Sequence, residues 1–141
     1  EPLEKDKFIP RKYTCDGAGV NPLIQIKLAP EGIKSLVLIM DDPDAPGGTF
    51  NHWLLWNIPP DVQEIGENSI PESCVLGENT SGNLNYVPPC PPTGSHRYYF
   101  RLYALDKGLD LRRGSTREDL ERAMEGHVVE NAEFMRKYKR A

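Results

Sequence analysis

The apolar positions of this chain recur mostly at period two, and one run lacks polar interruption altogether. Ser35-Leu36-Val37-Leu38-Ile39-Met40 reads as a strand buried on both faces. Upstream, Ile24, Ile26 and Leu28 alternate with Gln25 and Lys27. That is the pattern of a half-buried strand, closed by the turn Ala29-Pro30-Glu31-Gly32 and expected to pair antiparallel with residues 35–40. Residues 52–58 predict another strand, ended by Pro59-Pro60, in which alternation sets His52, Leu54, Trp56 and Ile58 on one face. The longest alternating run spans residues 96–105, with His96, Tyr98, Phe100, Leu102 and Ala104 on one face and Arg97, Tyr99, Arg101 and Tyr103 on the other.

The period changes near the C-terminus. Ser115-Thr116-Arg117-Glu118 has the form of a capping box, and Leu120, Met124, Val128, Ala132, Met135 and Tyr138 follow in steps of three and four. This predicts a C-terminal helix with one stripe toward the core. Gly126 inside it suggests close approach of another backbone. The basic stretch Arg136-Lys137-Tyr138-Lys139-Arg140 would then complement the helix dipole in its last turn.

Between these elements lie residues 8–22, mostly irregular with Tyr13-Thr14 as a short edge strand, and the polar connection 59–85. Asn79-Thr80-Ser81 has the form of a glycosylation acceptor, which carries no weight without a secretion signal. Tyr86-Val87-Pro88-Pro89-Cys90-Pro91-Pro92 lies between core elements rather than in a tail, so it reads as a rigid wall and not as a proline-motif ligand.

Composition narrows the picture. The 141 residues fit a single domain, 1–141, with a core of its own. The 13 prolines and 12 glycines favour a loop-rich β fold. A net charge of -4 argues against nucleic acid, whose phosphates need clustered Lys and Arg. No apolar run approaches the ~20 residues of a membrane span, and the start, residues 1–7, is charged. Cys15, Cys74 and Cys90 form no C-x-x-C pair. Reduced thiols in a cytoplasm are the expectation.

Candidate chemistry gathers at strand ends. Pro43 forces Asp42 extended, so Asp42 and Asp44 are expected to face one side together, just past the most apolar strand. Such an acidic turn is commonly just solvated. His52 opens a second strand, and His96 with Tyr98 opens a third. If those strands are neighbours, the groups surround one pocket, and nearby carboxylates would raise the imidazole pKa values and keep cationic donors for an anion. Each histidine alone could equally be structural. A calcium loop starting at Asp42 fails, because its fifth ligand would be Pro46 and its twelfth Trp53. No zinc-type histidine pair and no serine-nucleophile elbow is present. Cys90 as a nucleophile is opposed by its flanking prolines.

Together, Asp42-Pro43-Asp44-Ala45-Pro46, His52-Trp53, the proline segment followed by Gly94-x-His96-Arg97-Tyr98, and Tyr103-Ala104-Leu105-Asp106 resemble the phosphatidylethanolamine-binding protein family, also called Raf kinase inhibitor-like proteins. Glu125-Gly126-His127 resembles its C-terminal motif, and the similarity runs over residues 8–138. The resemblance implies a mainly β fold with a large antiparallel sheet against a smaller one and helices outside. It implies a ligand-binding pocket for small phosphorylated groups at Asp42, Asp44, His52, His96 and Tyr98, with Pro89 and Pro91 near its rim. With the metal and nucleophile readings set aside above, no cofactor, no metal and no catalytic residue is expected. A serine protease or kinase partner is the alternative, and phosphoester hydrolysis a weaker one. Pro88 departs from the glycine usual at that position in the family and forbids positive φ there. Residues 47–51 look shorter than in eukaryotic members, and their C-terminal extension is absent from the pattern, so their protein-partner surfaces do not transfer.

Overall fold

A computed structural model describes residues 8–27 and 30–140. Its centre is β2 (Ser35–Asp42), whose eight residues are all buried. The burial follows from position: β3 (Phe50–Ile58) and β6 (His96–Leu105) pair antiparallel with its two edges. With β5 (Val75–Leu76) and β7 (Val128–Tyr138) they form a sheet of order β5-β3-β2-β6-β7. A second, two-stranded sheet pairs β1 (Ile24–Gln25) with β4 (Glu64–Ile65).

Alternation along β2 divides the core into two layers. Leu36, Leu38 and Met40 pack with Trp53, Leu55, Tyr98 and Phe100 beneath Ile9, Tyr13, Ile24 and Ile65. Val37 and Ile39 pack on the opposite face with Leu54, Trp56 and Leu105, covered by Leu120 and Met124 of α1 (Arg117–Met124). Each fully buried Leu or Ile contributes roughly 1.5–3 kcal/mol of transfer free energy, so both faces of the sheet need a cover. The small sheet with the N-terminal arm supplies one and the helix supplies the other.

The strand β3 breaks its own alternation twice. Its register with β2 shifts between Met40 and Asp41, and again between Leu36 and Leu38. At the second bulge Asn57 adopts φ 55°, its side chain exchanging two hydrogen bonds with the backbone of Leu109. A bulge inserts one residue and reverses the facing of the residues beyond it. Ile58 therefore joins the layer of Trp53 and Leu55, while Leu54 and Trp56 face the helix. The expectation that His52, Leu54, Trp56 and Ile58 share a face is overturned.

Other expectations also change. Ile24 and Gln25 pair with β4 rather than with β2, while Leu28 and Ala29 lie outside the described residues, as do residues 1–7. Tyr13 closes a short 3-10 turn, Arg11–Tyr13, instead of an edge strand. The helix begins with a capping box one residue later than expected, Thr116 with Asp119, and ends at Met124. Gly126 at φ 80° then turns the chain into β7, which pairs with β6 along its length. A Cβ at Gly126 would meet nothing within 4 Å, so the glycine serves its backbone conformation and not a close approach. Arg136 and Lys137 of the basic stretch therefore lie in a strand rather than in a helix's last turn. Asn79 is buried, donating to the Asn85 carbonyl and accepting from the Ser81 and Asn83 amides. It braces the long connection and is inaccessible as a glycan acceptor.

Candidate functional site

Antiparallel pairing decides where the candidate residues meet. Because β2 runs against both neighbours, its C-terminal end lies beside the starts of β3 and β6, with Asp42 opposite Phe50 and Asp41 opposite Tyr99. A cavity of about 230 Å³ opens there, lined by Asp42, His52, His96 and Tyr98 with the wall residues Pro88 and Pro91. The first bulge of β3 brings His52 in: it is the extra residue between the pairs Met40–Trp53 and Asp41–Asn51. Its ring meets Tyr98 edge-on at 5.4 Å and Phe50 at 4.7 Å.

Each polar group in the cavity has a fixed internal partner. Buried Asp42 accepts the His96 Nδ1–H through Oδ2 at 2.6 Å and the Asp44 amide through Oδ1 at 2.8 Å. The ion-pair geometry orients the His96 ring and leaves Nε2 as its uncommitted nitrogen. His52 donates from Nδ1 to the Val87 carbonyl at 2.7 Å, and Val87 N–H returns a bond to the His52 carbonyl at 3.0 Å. That assigns Nε2 of His52 as an acceptor while the ring is neutral. Burial lowers the His52 pKa, and this effect exceeds the opposing pull of the Val87 carbonyl, Asp42 and Asp41. For this ring desolvation wins over the carboxylates, contrary to the expectation of two imidazoles raised together. Tyr98 keeps its proton: burial raises its pKa first, then the charges of Asp42 and Asp44 and a hydrogen bond with Asp42.

Asp44 and Pro89 do not line the cavity. Asp44 takes three hydrogen bonds from Arg97, one from the backbone N–H and two from the guanidinium, at 2.8–2.9 Å. Its carboxyl is held down at about 2 by that guanidinium, with the Arg97 amide and the nearby His96 adding to it. The two aspartates are thus separated by an Asx turn, with Asp42 turned in and Asp44 out. Pro89 is buried behind the wall, where its carbonyl accepts the Cys15 amide at 3.1 Å.

The largest correction concerns sulfur. Cys15 and Cys90 form a disulfide across 75 residues of sequence, and Cys74 is the free cysteine. Cys90 is no thiol nucleophile, and it lines the cavity as part of a bonded wall. Nothing in the spacing signals the pair, because the arm and the wall meet only in the folded chain. The premise of reduced thiols goes with it, since disulfides persist in oxidising compartments and inside hyperthermophiles. Phe50, Pro88 and Pro92 also line the cavity beyond the residues expected. Past the helix, His127 pairs with Asp106 at 2.9 Å and not with the cavity.

A larger cleft of about 310 Å³ between the two sheets is lined mainly by apolar side chains such as Leu38, Ile65, Phe100 and Phe134. It shares no residue with the His/Asp site, whose ionisable groups make it the chemical one. Among the described residues no group of three or more His, Cys, Asp or Glu is placed to hold a metal ion, and no helix is long and apolar enough to cross a membrane.

Comparison with known proteins agrees with this architecture. A UPF0098 protein of Pyrococcus abyssi is 51% identical over 144 residues, covering 96% of this chain and 80% of that one. A UPF0098 protein of Methanothermobacter thermautotrophicus is 49% identical, covering 94% and 91%. The crystal structure of a phosphatidylethanolamine-binding protein homolog, CT736 of Chlamydia trachomatis, superposes with a TM-score of 0.96 at 40% identity, covering 100% of this chain and 95% of that one. YbcL of Escherichia coli shares the fold at a TM-score of 0.90 and 24% identity, covering 99% and 94%. The sequence pattern described as phosphatidylethanolamine-binding protein matches residues 1–139, and the chain belongs to that family.

Proposed function

We propose that this protein binds the phosphate of a small phosphorylated compound in the cavity formed by Asp42, His52, His96 and Tyr98, and that it binds without turnover. The observation that carries the reading is the commitment of the carboxylate that lines the cavity. Both oxygens of Asp42 already hold donors, His96 Nδ1–H and the Asp44 amide. Its charge therefore orients an imidazole rather than facing the ligand.

Three groups remain for a phosphate. The Tyr98 hydroxyl keeps its proton and would turn it from Asp42 to a phosphate oxygen. His96, polarised through Nδ1, presents Nε2. His52 is neutral and accepts through Nε2, so it favours a ligand oxygen that carries a proton, or it takes up a proton when the anion binds. A cavity of about 230 Å³ is below the ~300 Å³ at which drug-sized sites begin, which suits a single phosphate with a short substituent. The same commitments argue against hydrolysis: Asp42 is not free as a general base, and Cys90 is bonded to Cys15.

Isothermal titration with phosphoethanolamine tests the reading. Measurable affinity that falls about tenfold or more in His96→Ala and in Tyr98→Phe is expected, as each removes a hydrogen bond to a charged group worth roughly 1.5–3 kcal/mol. Affinity unchanged in both variants would sink it.

A further inference from the structure

The wall of the cavity is held in an unusual way. In Pro88-Pro89-Cys90-Pro91-Pro92 only Cys90 has a backbone N–H, so the segment is nearly without donors of its own. Val87 anchors its start to His52. Beyond that, the wall is held by the amide of Cys15 on the Pro89 carbonyl and by the Cys15–Cys90 bond. Among the described residues no other hydrogen bond reaches residues 90–95 before β6 begins at His96.

The other end of the bond is firmly built. The arm 11–19 is braced by Thr14 Oγ1–H on the Arg11 carbonyl, Gly17 N–H on the Thr14 carbonyl and Gly19 N–H on the Lys12 carbonyl. A Cβ on Gly19 would come within 3.0 Å of the Pro88 ring, so arm and wall lie in contact. Both Cys15 and Cys90 are exposed. Exposed disulfides are the readily exchanged ones, whereas structural bonds are shielded.

We propose that the Cys15–Cys90 bond is a reversible modification site, cleaved by a dithiol reductant, and that its state sets the affinity of the adjacent cavity for its anion. A thiolate of the reductant attacks one sulfur and forms a mixed disulfide. The other cysteine leaves as a thiolate and takes a proton. The second thiol of the reductant then closes on its partner, releasing the second cysteine as a thiol and leaving with the two electrons' worth of oxidation as its own disulfide. Reduction frees Cys90, Pro91 and Pro92 from the arm and widens the cavity on the side facing His96 and Tyr98. The coupling rests on the phosphate-binding reading above.

The test compares phosphoethanolamine affinity of the oxidised protein, the protein treated with a dithiol, and the reoxidised protein, with reactive thiols counted alongside. Reduction is expected to add the thiols of Cys15 and Cys90 to that of Cys74 and to weaken binding about tenfold, reversed on reoxidation. The double variant Cys15→Ser, Cys90→Ser is expected to bind like the reduced protein with or without reductant. Equal affinity in the two redox states, a bond that resists the dithiol while the protein is folded, or loss of the near-ultraviolet signal of Trp53 and Trp56 on reduction would each overturn the inference. An oxidised protein that does not bind at all removes the phosphate reading instead. An oxidised protein that binds, with a reduced one binding equally well, removes only this inference.

Discussion

His52 sits at the extra position of a bulge, donates from Nδ1 to the Val87 carbonyl, and is 5% exposed. Little water remains to solvate a second proton, so burial lowers its pKa below the ordinary 6.5. The sign of the consequence is fixed: between the folded pKa and 6.5 the unfolded chain holds more protons, and stability falls as pH falls through that window. Binding of an anion adds negative charge beside the ring and raises its pKa again, so the complex takes up protons and affinity rises as pH falls toward 6. Nuclear magnetic resonance of the ring proton should give a midpoint below 6.5 for the free protein and a higher one with phosphoethanolamine. A free-state midpoint above 6.5 would contradict the burial argument. Asp44 acts at the other end of the scale: its carboxyl, held at about 2 by Arg97, contributes stability that is fully present above its ordinary 3.8 and is lost progressively as pH falls from there through about 2.

At the scale of elements, the turn from α1 to β7 rests on Gly126. Its φ of 80° lies in the left-handed region, and no atom stands within 4 Å of where a Cβ would be. Gly126→Ala should therefore cost about 1 kcal/mol through backbone strain alone, and Gly126→Asn less, since Asn tolerates that region better. Urea midpoints would show it, and an alanine variant as stable as the parent would remove the argument. The same place explains what the sequence hides. Leu120 and Met124 have helical spacing and are buried. Val128 and Ala132 continue that spacing by coincidence, because the first half of β7 is exposed at every position and shows no alternation. An edge strand open to water has no face to hide, so period two is absent from it. In β6, by contrast, His96, Tyr98, Phe100 and Ala104 are buried on one face as their alternation predicts. His96 and Tyr98 were legible for that reason, and Asp42 because Pro43 follows it at the end of the most apolar strand, while the bulges of β3 and the Cys15–Cys90 pairing depend on contacts between distant segments that no local pattern records.

Across the whole molecule, neighbouring aspartates of one strand do opposite work. Asp42 faces the cavity, and Asp41, 1% exposed, faces the helix side, where Arg101 bonds it at 2.9 Å and Arg117 at 2.6 Å. Arg101 continues to Glu133 of β7, and Arg117 continues to Asn51 of β3 and Glu121 of α1. One buried carboxylate thus lies at the centre of a network that ties four strands, β2, β3, β6 and β7, to the helix. It also offsets an arginine in the first turn of α1, where the helix dipole disfavours positive charge. Asp41→Asn keeps the shape but removes the buried counter-charge that two half-buried guanidinium groups share, leaving each only its more exposed glutamate, Glu133 or Glu121. Loss of one member of such a buried network costs about 3 kcal/mol. The cavity, on the other face of β2 and sharing none of these partners, should keep its phosphoethanolamine affinity within about twofold, as separated sites add independently. Chemical denaturation and titration on the same preparation check both halves. Stability that falls together with a tenfold loss of affinity would mean that the ion network holds the site in place, and the independence of the two faces of β2 would have to be given up.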